Sequence, residues 1–301
     1  MDRKININIE HLLNPDDEGE HREMMPIITD GDDSELENVE IPELLPLLPL
    51  RNNVLFPGVV LPISIGRPKS VQLIKDAYRT EKQIATFAQR DPDTDDPAPA
   101  DLHPTGTLGQ IVKLLEMPDG STTAIIQGRT RIELAEIVSS DPYFMARVEP
   151  RPEARPVAHN KEFDAIVGSL KDLSMRIIKL NPNVNPEASF AVKNIENNTY
   201  LINFICSNTD IKVADKQRLL ESNSLRDRGF LLLEYLVKEV QLLELKNELQ
   251  SKVKIDIDQQ QREYLLHQQM KTIQNELGGN PLEKEIEEYR KKAKEKKWND
   301  D

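Results

Sequence analysis

The stretch SLRDRGFLLLEYLVKEVQLLELKNELQSKVKIDIDQQQREYLLHQQMKTIQNEL, residues 224–277, decides how this chain is read. It holds no proline and one glycine, Gly229, so nothing in it interrupts a helix. Ser224 with Asp227 three residues on gives a capping-box-like start. Gly278, Gly279 and Pro281 supply the stop. At about 1.5 Å per residue, a helix over Leu225–Leu277 would run roughly 80 Å. A rod of that length cannot bury itself in a small domain, so it is expected to project or to pack against other chains. Leu232, Leu236, Val240 and Leu243 form one stripe, continued after a shift by Leu245, Leu249, Val253 and Ile257. The heptad lapses through Gln259–Arg262, which argues against a regular two-stranded coiled coil. The proximal half is expected to pack on a helical bundle. The distal half is expected to stand freer, with Tyr264, Leu265, Met270 and Ile273 as contact residues.

Upstream of the rod, residues 157–223 have helical period. Phe163, Ile166, Val167, Leu170, Leu173, Ile177 and Leu180 follow the i, i+3, i+4, i+7 spacing of one apolar face. Asn181-Pro-Asn-Val-Asn-Pro186 ends that helix and opens another, and short helices around Tyr200–Cys206 and Lys212–Glu221 complete a small bundle. Further upstream, a β-rich domain is expected over residues 41–150, because from Leu47 to about Pro150 the period is mostly two and is cut by turn residues. Leu47–Leu50, Val59–Ile65, Ile84–Ala88, Leu108–Leu115, Thr122–Gln127, Ile132–Val138 and Tyr143–Val148 are the strand candidates. Pro118-Asp-Gly120 turns the clearest hairpin, and Pro68 opens one inserted helix through Val71, Ile74, Ala77 and Tyr78. Six or seven short strands around one helix suggest a closed or nearly closed barrel, which hides its edges. The fold class is therefore α+β, with a small β-rich barrel, a helical bundle over 157–223, a long helix over 224–278 and a further helix begun at 281–301.

Charge is distributed unevenly. Residues 1–45 carry fourteen Asp and Glu against Arg3, Lys4 and Arg22, and so hold −11 of the formal −13. Residues 1–40, poor in aromatics and broken by Pro15, Gly19, Pro26 and Gly31, read as a mobile acidic tail. The rest is nearly neutral and lacks the concentrated basic face that phosphate binding requires, which argues against nucleic acid. The start lacks the apolar core of a signal peptide, and no window reaches the roughly 18 uncharged apolar residues of a membrane span, so a cytoplasmic location is expected.

The catalytic motifs searched for are absent or broken. Gly66-Arg-Pro-Lys69-Ser70 resembles the tail of a phosphate-binding loop, but Pro68 stands where its glycine is needed, so opening a helix is the better reading. His11, His21, His103, His159 and His267 are scattered and no cysteine pairs exist, so no metal site is expected. Cys206 lies in an apolar run and reads as buried and inert. Ser174 and Lys179, five residues apart on a helix, point to different faces and form no catalytic dyad. What remains is recognition. Phe56, Met117, Phe144 and Met145 are placed on barrel rims, where adaptable methionine and aromatic surface suits a promiscuous peptide binder, although each also fits a core role.

Two segments carry a family resemblance. Pro46-Leu-Leu-Pro-Leu-Arg-Asn-Asn-Val-Leu-Phe-Pro-Gly-Val-Val-Leu-Pro62 resembles the opening of the N-terminal domain of bacterial Lon proteases. Gln261-Arg-Glu-Tyr-Leu-Leu-His-Gln-Gln-Met-Lys-Thr-Ile-Gln-Asn-Glu-Leu-Gly278 is similar to the segment that ends the long helix before the Lon ATPase module. The resemblance implies a PUA-like pseudo-barrel for the β part. It also implies a homohexameric ATP-dependent serine protease, whose AAA+ module uses ATP and Mg and whose Ser-Lys dyad cuts. No Walker motif or protease domain occurs in this sequence, so no catalytic, cofactor-binding or metal-binding residue carries over to it. The implied role is non-catalytic: capture of unfolded or degron-bearing substrate proteins and help in holding the subunits together. A stand-alone adaptor or scaffold, with the rod as oligomeriser, is the alternative. RNA binding through the barrel is disfavoured by its lack of a basic stripe.

Overall fold

The computed structural model describes residues 40–80, 82–116, 121–154, 156, 160–276 and 281–296. The acidic tail before residue 40, the Pro118–Gly120 turn, Met117, His159 and the Gly278-Gly279 break lie outside the described residues. Six strands form one sheet: β1 (Leu45–Leu50), β2 (Val60–Ile65), β3 (Gln83–Ala88), β4 (Thr105–Glu116), β5 (Thr122–Ser139) and β6 (Met145–Pro150). Their order is β2-β5-β4-β3-β1-β6, and β5 pairs again with β6. The ring β5-β4-β3-β1-β6 is therefore closed, with β2 held on β5 outside it. Only β1 and β3 run parallel, with Leu47 opposite Ala85 and Leu50 opposite Ala88. Helix α1 (Pro68–Arg79) joins β2 to β3, with Pro68 in its first turn.

Two strand candidates, Thr122–Gln127 and Ile132–Val138, form one 18-residue strand, β5. Its first half pairs with β2 and its second half with β6, while β4 runs along it from Thr122 to Glu133. Gly128 at the junction marks a close approach of backbones. A Cβ there would come within 2.2 Å of the Phe56 carbonyl oxygen, and the glycine exchanges hydrogen bonds with Gly58 and Val59 at 2.9 Å. Register shifts between Leu134 and Glu136 and between Ile137 and Ser139 bend the strand so that one segment can serve both sides of the barrel.

The helices are α2 (Lys161–Leu180), α3 (Ala188–Asn194), α4 (Asn198–Asn208), α5 (Val213–Glu221), α6 (Leu225–Glu276) and α7 (Pro281–Glu295). Asn160 caps α2 by accepting from the amides of Glu162 and Phe163, and Ser224 Oγ accepts from the amide of Asp227 at the start of α6. The chain divides into two compact units, one ending at Leu243 and one beginning at Glu244. Within the first, barrel and bundle share a core. Val54, Phe56, Val59 and Ala88 pack in the same cluster as Leu170, Leu201, Ile202, Leu219, Leu232 and Leu236. Phe56 is thus fully buried, which corrects its placement on a rim: the loop after β1 turns it inward beneath the helices. In the second unit, every described residue from Glu248 to Glu276 is exposed.

Candidate functional site: an uncovered apolar face on the helical bundle

Helix α6 begins as a core element. Leu225, Gly229, Leu232, Leu236 and Val240 are buried along it, at the spacing of a single face. Gly229 lets α6 sit close to α2 and α4: a Cβ there would meet Ile166 Cγ2 at 3.0 Å and Ile202 Cδ1 at 3.5 Å. Arg228, also on this face, is fully buried. Its guanidinium donates to Leu219 O at 2.8 Å and Asn203 Oδ1 at 2.7 Å and pairs with Glu153 at 2.5 Å. Asn203 in turn donates to Pro57 O at 3.0 Å. From the barrel side, Arg131 on β5 donates to Leu220 O, Ser222 O and Pro152 O at 2.9, 2.6 and 3.0 Å and lies 3.9 Å from Glu153. Burial and the nearby Arg228 charge lower the Arg131 pKa to about 10, against the opposing pull of Glu153. Arg151 adds bonds to Thr105 Oγ1 at 2.6 Å and Glu221 O at 3.1 Å. Two buried arginines sharing one carboxylate thus tie the barrel, the β6–α2 connection, α4, α5 and α6 into one piece. Buried charges persist only when paired and hydrogen-bonded, and this joint fixes how α6 is presented.

The same helix carries a second apolar stripe that nothing among the described residues covers. Phe230 is 58% exposed and Val237 41%, with half-buried Leu233 between them. Together with Leu173 of α2 they line an open groove of about 740 Å³, rimmed by Ser169, Asp172, Glu234, Lys238 and Gln241. A smaller hollow continues past Phe230 to Glu162, Arg226, Asp227 and Leu231. Arg226 and Glu162 pair there at 2.9 Å. Exposed aromatic and aliphatic side chains in a concave setting mark an interaction surface more than a reaction centre.

The sequence-based contact residues fall elsewhere. Phe144 and Met145 are half-buried at the β6 end of the barrel, where Phe144 packs against the cluster of Leu45, Leu47, Phe87 and Leu108. Tyr264, Leu265, Met270 and Ile273 are exposed on the distal part of α6. The groove residues escaped sequence reading because Phe230, Leu233 and Val237 sit in an apolar run, Phe230–Val237, interrupted only at Glu234. The available signal was an apolar arc too wide for a helix with one buried face.

Reactive groups are accounted for structurally. Lys69 pairs with Asp96 at 3.0 Å, and Arg67 donates to Gln89 Oε1 at 2.8 Å and Thr94 O at 3.1 Å, so the Gly66–Ser70 segment holds the loop before β4. Cys206 is buried, and burial pushes its thiol up to about 12, far from the thiolate a nucleophile needs. Among the described residues, no group of three or more His, Cys, Asp or Glu side chains is placed to hold a metal ion. No helix among them is long and apolar enough to cross a membrane.

Comparison with known proteins gives the family. Residues 44–238 match the family described as the ATP-dependent protease La (LON) substrate-binding domain. The chain belongs to this family. It is 50% identical over 278 residues to a Lon protease of Flavobacterium johnsoniae, an alignment covering 92% of this chain and 34% of that protein. It is 45% identical over 278 residues to a Lon protease of Parabacteroides distasonis, covering 91% of this chain and 34% of that protein. The chain therefore spans about a third of the length of the curated relatives it matches. The N-terminal domain of Mycobacterium avium complex Lon protease superposes with a TM-score of 0.52 at 21% identity, covering 64% of this chain and 98% of that one, which shows a shared fold. The family's match runs through Lys238 and so takes in the barrel, the polar joint and all of the groove's lining but Gln241.

Proposed function

We propose that this region captures unfolded or degron-bearing segments of protein substrates for an ATP-dependent Lon serine protease and contributes to holding its subunits in a homohexamer. On this reading ATP, Mg and the cutting residues belong to AAA+ and protease modules outside this sequence, the region itself performs no reaction, and it works in the cytoplasm. The observation that carries the reading is the match of residues 44–238 to a substrate-binding domain, supported by an uncovered apolar groove on a rigidly braced helix. Weak apolar contacts suit this task, because six linked copies raise effective concentration and convert individually modest affinities into retention. The exposed Leu245, Leu249, Val253 and Ile257 support a part in assembly.

The test is binding of the 301-residue chain to chemically unfolded casein and to folded globular competitors, followed by fluorescence anisotropy. Preference for the unfolded chain of about tenfold, near 1.4 kcal/mol, is expected. Equal affinity for folded and unfolded partners would overturn the reading.

A further inference from the structure

We propose that the groove between α2 and α6 is the capture site, and that it takes an extended apolar segment flanked by lysine or arginine. This rests on the substrate-binding reading above and adds the place and the chemistry. The floor is apolar: Leu173, Phe230, Leu233 and Val237. From Phe230 to Gln241 along α6 the groove spans about 16 Å, room for roughly five residues of extended chain.

The rim sets the sign of the occupant. Asp172 and Glu234 border the floor on opposite helices, both exposed, and neither has an ion-pair partner among the described residues. In the adjoining hollow Asp227 adds a further negative charge, while the Arg226 charge is matched by Glu162 at 2.9 Å. Lys238 is the opposing cation on the rim, and its Nζ lies 5.8 Å from the Tyr235 ring centroid. An apolar floor under a net negative rim is complementary to an apolar segment with positive flanks, and charge at the rim selects partners more than it adds affinity. The same charge disfavours two other occupants. The chain's own first 45 residues carry −11 and would be repelled. A second copy docking through the same face in two-fold symmetry would bring two negative rims together.

The test uses the full chain and three labelled twelve-residue peptides: one with a Leu-Phe-Ile centre and Lys pairs at both ends, one with the same centre and Glu pairs, and one with a Ser-Gly centre and Lys pairs. The first is expected to bind about tenfold more tightly than either other peptide, with its advantage over the Glu-flanked one shrinking in high salt. Asp172→Lys with Glu234→Lys should reverse the order of the two apolar peptides, and Phe230→Ser with Val237→Ser should weaken both about tenfold. These side chains are exposed or rim-placed, so unchanged circular dichroism and thermal unfolding identify folded variants. Equal affinity for all three peptides, or peptide affinity untouched by Phe230→Ser with Val237→Ser, overturns the proposal. So does a change in sedimentation with no change in peptide binding, which would make the face a self-interface. Unfolded casein separates the two levels. Casein that still binds the Phe230→Ser, Val237→Ser variant sinks the groove but leaves the capture reading standing, whereas casein that fails to bind the unaltered chain sinks both.

Discussion

The two parts of α6 are built from similar residues and live in different surroundings. Up to Leu243, Leu232, Leu236 and Val240 are buried against barrel-linked helices. Beyond it, Leu245, Leu249 and Val253 are exposed although their spacing is as regular. An apolar stripe therefore shows which face a helix would bury, and only a partner decides whether it does. In the first part the partner is fixed by two devices that have no counterpart among the described residues of the second: the Gly229 notch, and the buried Arg228 with its ring of acceptors.

The largest effect should come from breaking that joint. Arg228→Ala removes the donors to Leu219 O and Asn203 Oδ1 and leaves Glu153 with Arg131 alone, at 3.9 Å, so urea unfolding should show a loss of about 3–5 kcal/mol. Adding Glu153→Gln should deepen the loss, because buried Arg131 is then left without its carboxylate. Equal stability of Arg228→Ala and the unaltered chain would show that the joint does not hold α6. Next in size is Leu232→Ala, which opens a cavity at a fully buried site and should cost about 2–5 kcal/mol in the same measurement.

A pH-dependent effect follows, smaller and confined to the first unit. His103 lies 3.6 Å from Glu221, yet burial first and the Arg90 charge second lower its pKa below the ordinary 6.5, outweighing the carboxylate. The unfolded chain then binds the proton more readily than the folded one, so stability rises with pH across this window. On acidification the contribution is lost from about pH 6.5 downward through the folded pKa. His103→Gln should flatten the difference in thermal midpoint between pH 7 and pH 5, and an unaltered slope would remove His103 from the account.

Much of this architecture was legible in residues. The i, i+3, i+4 spacing of Phe163–Leu180 and the Ser224 cap placed α2 and the start of α6, and alternation placed the strands, because each depends on local periods. Long-range features were not legible. Phe56 reads as a rim aromatic beside a Pro-Gly turn, but its burial depends on helices more than a hundred residues later. Arg131, Arg151, Glu153 and Arg228 look like ordinary surface charges until the fold brings them together. The groove was hidden for a related reason: Phe230 and Val237 belong to a run that also holds core Leu232 and Leu236, and only the packed position of α2 separates covered from uncovered.

The smallest expected change sharpens the contrast from the other side. Leu249→Ala removes as much hydrocarbon as Leu232→Ala, but Leu249 is 53% exposed, so its unfolding free energy should shift by no more than about 0.5 kcal/mol. A loss comparable to that of Leu232→Ala at working protein concentration, rising with concentration, would mean that another chain covers the stripe and that stability and assembly are one equilibrium. A small, concentration-independent shift would leave the stripe uncovered in the isolated chain. Sedimentation of the Leu249→Ala and unaltered chains at matched concentrations decides between them.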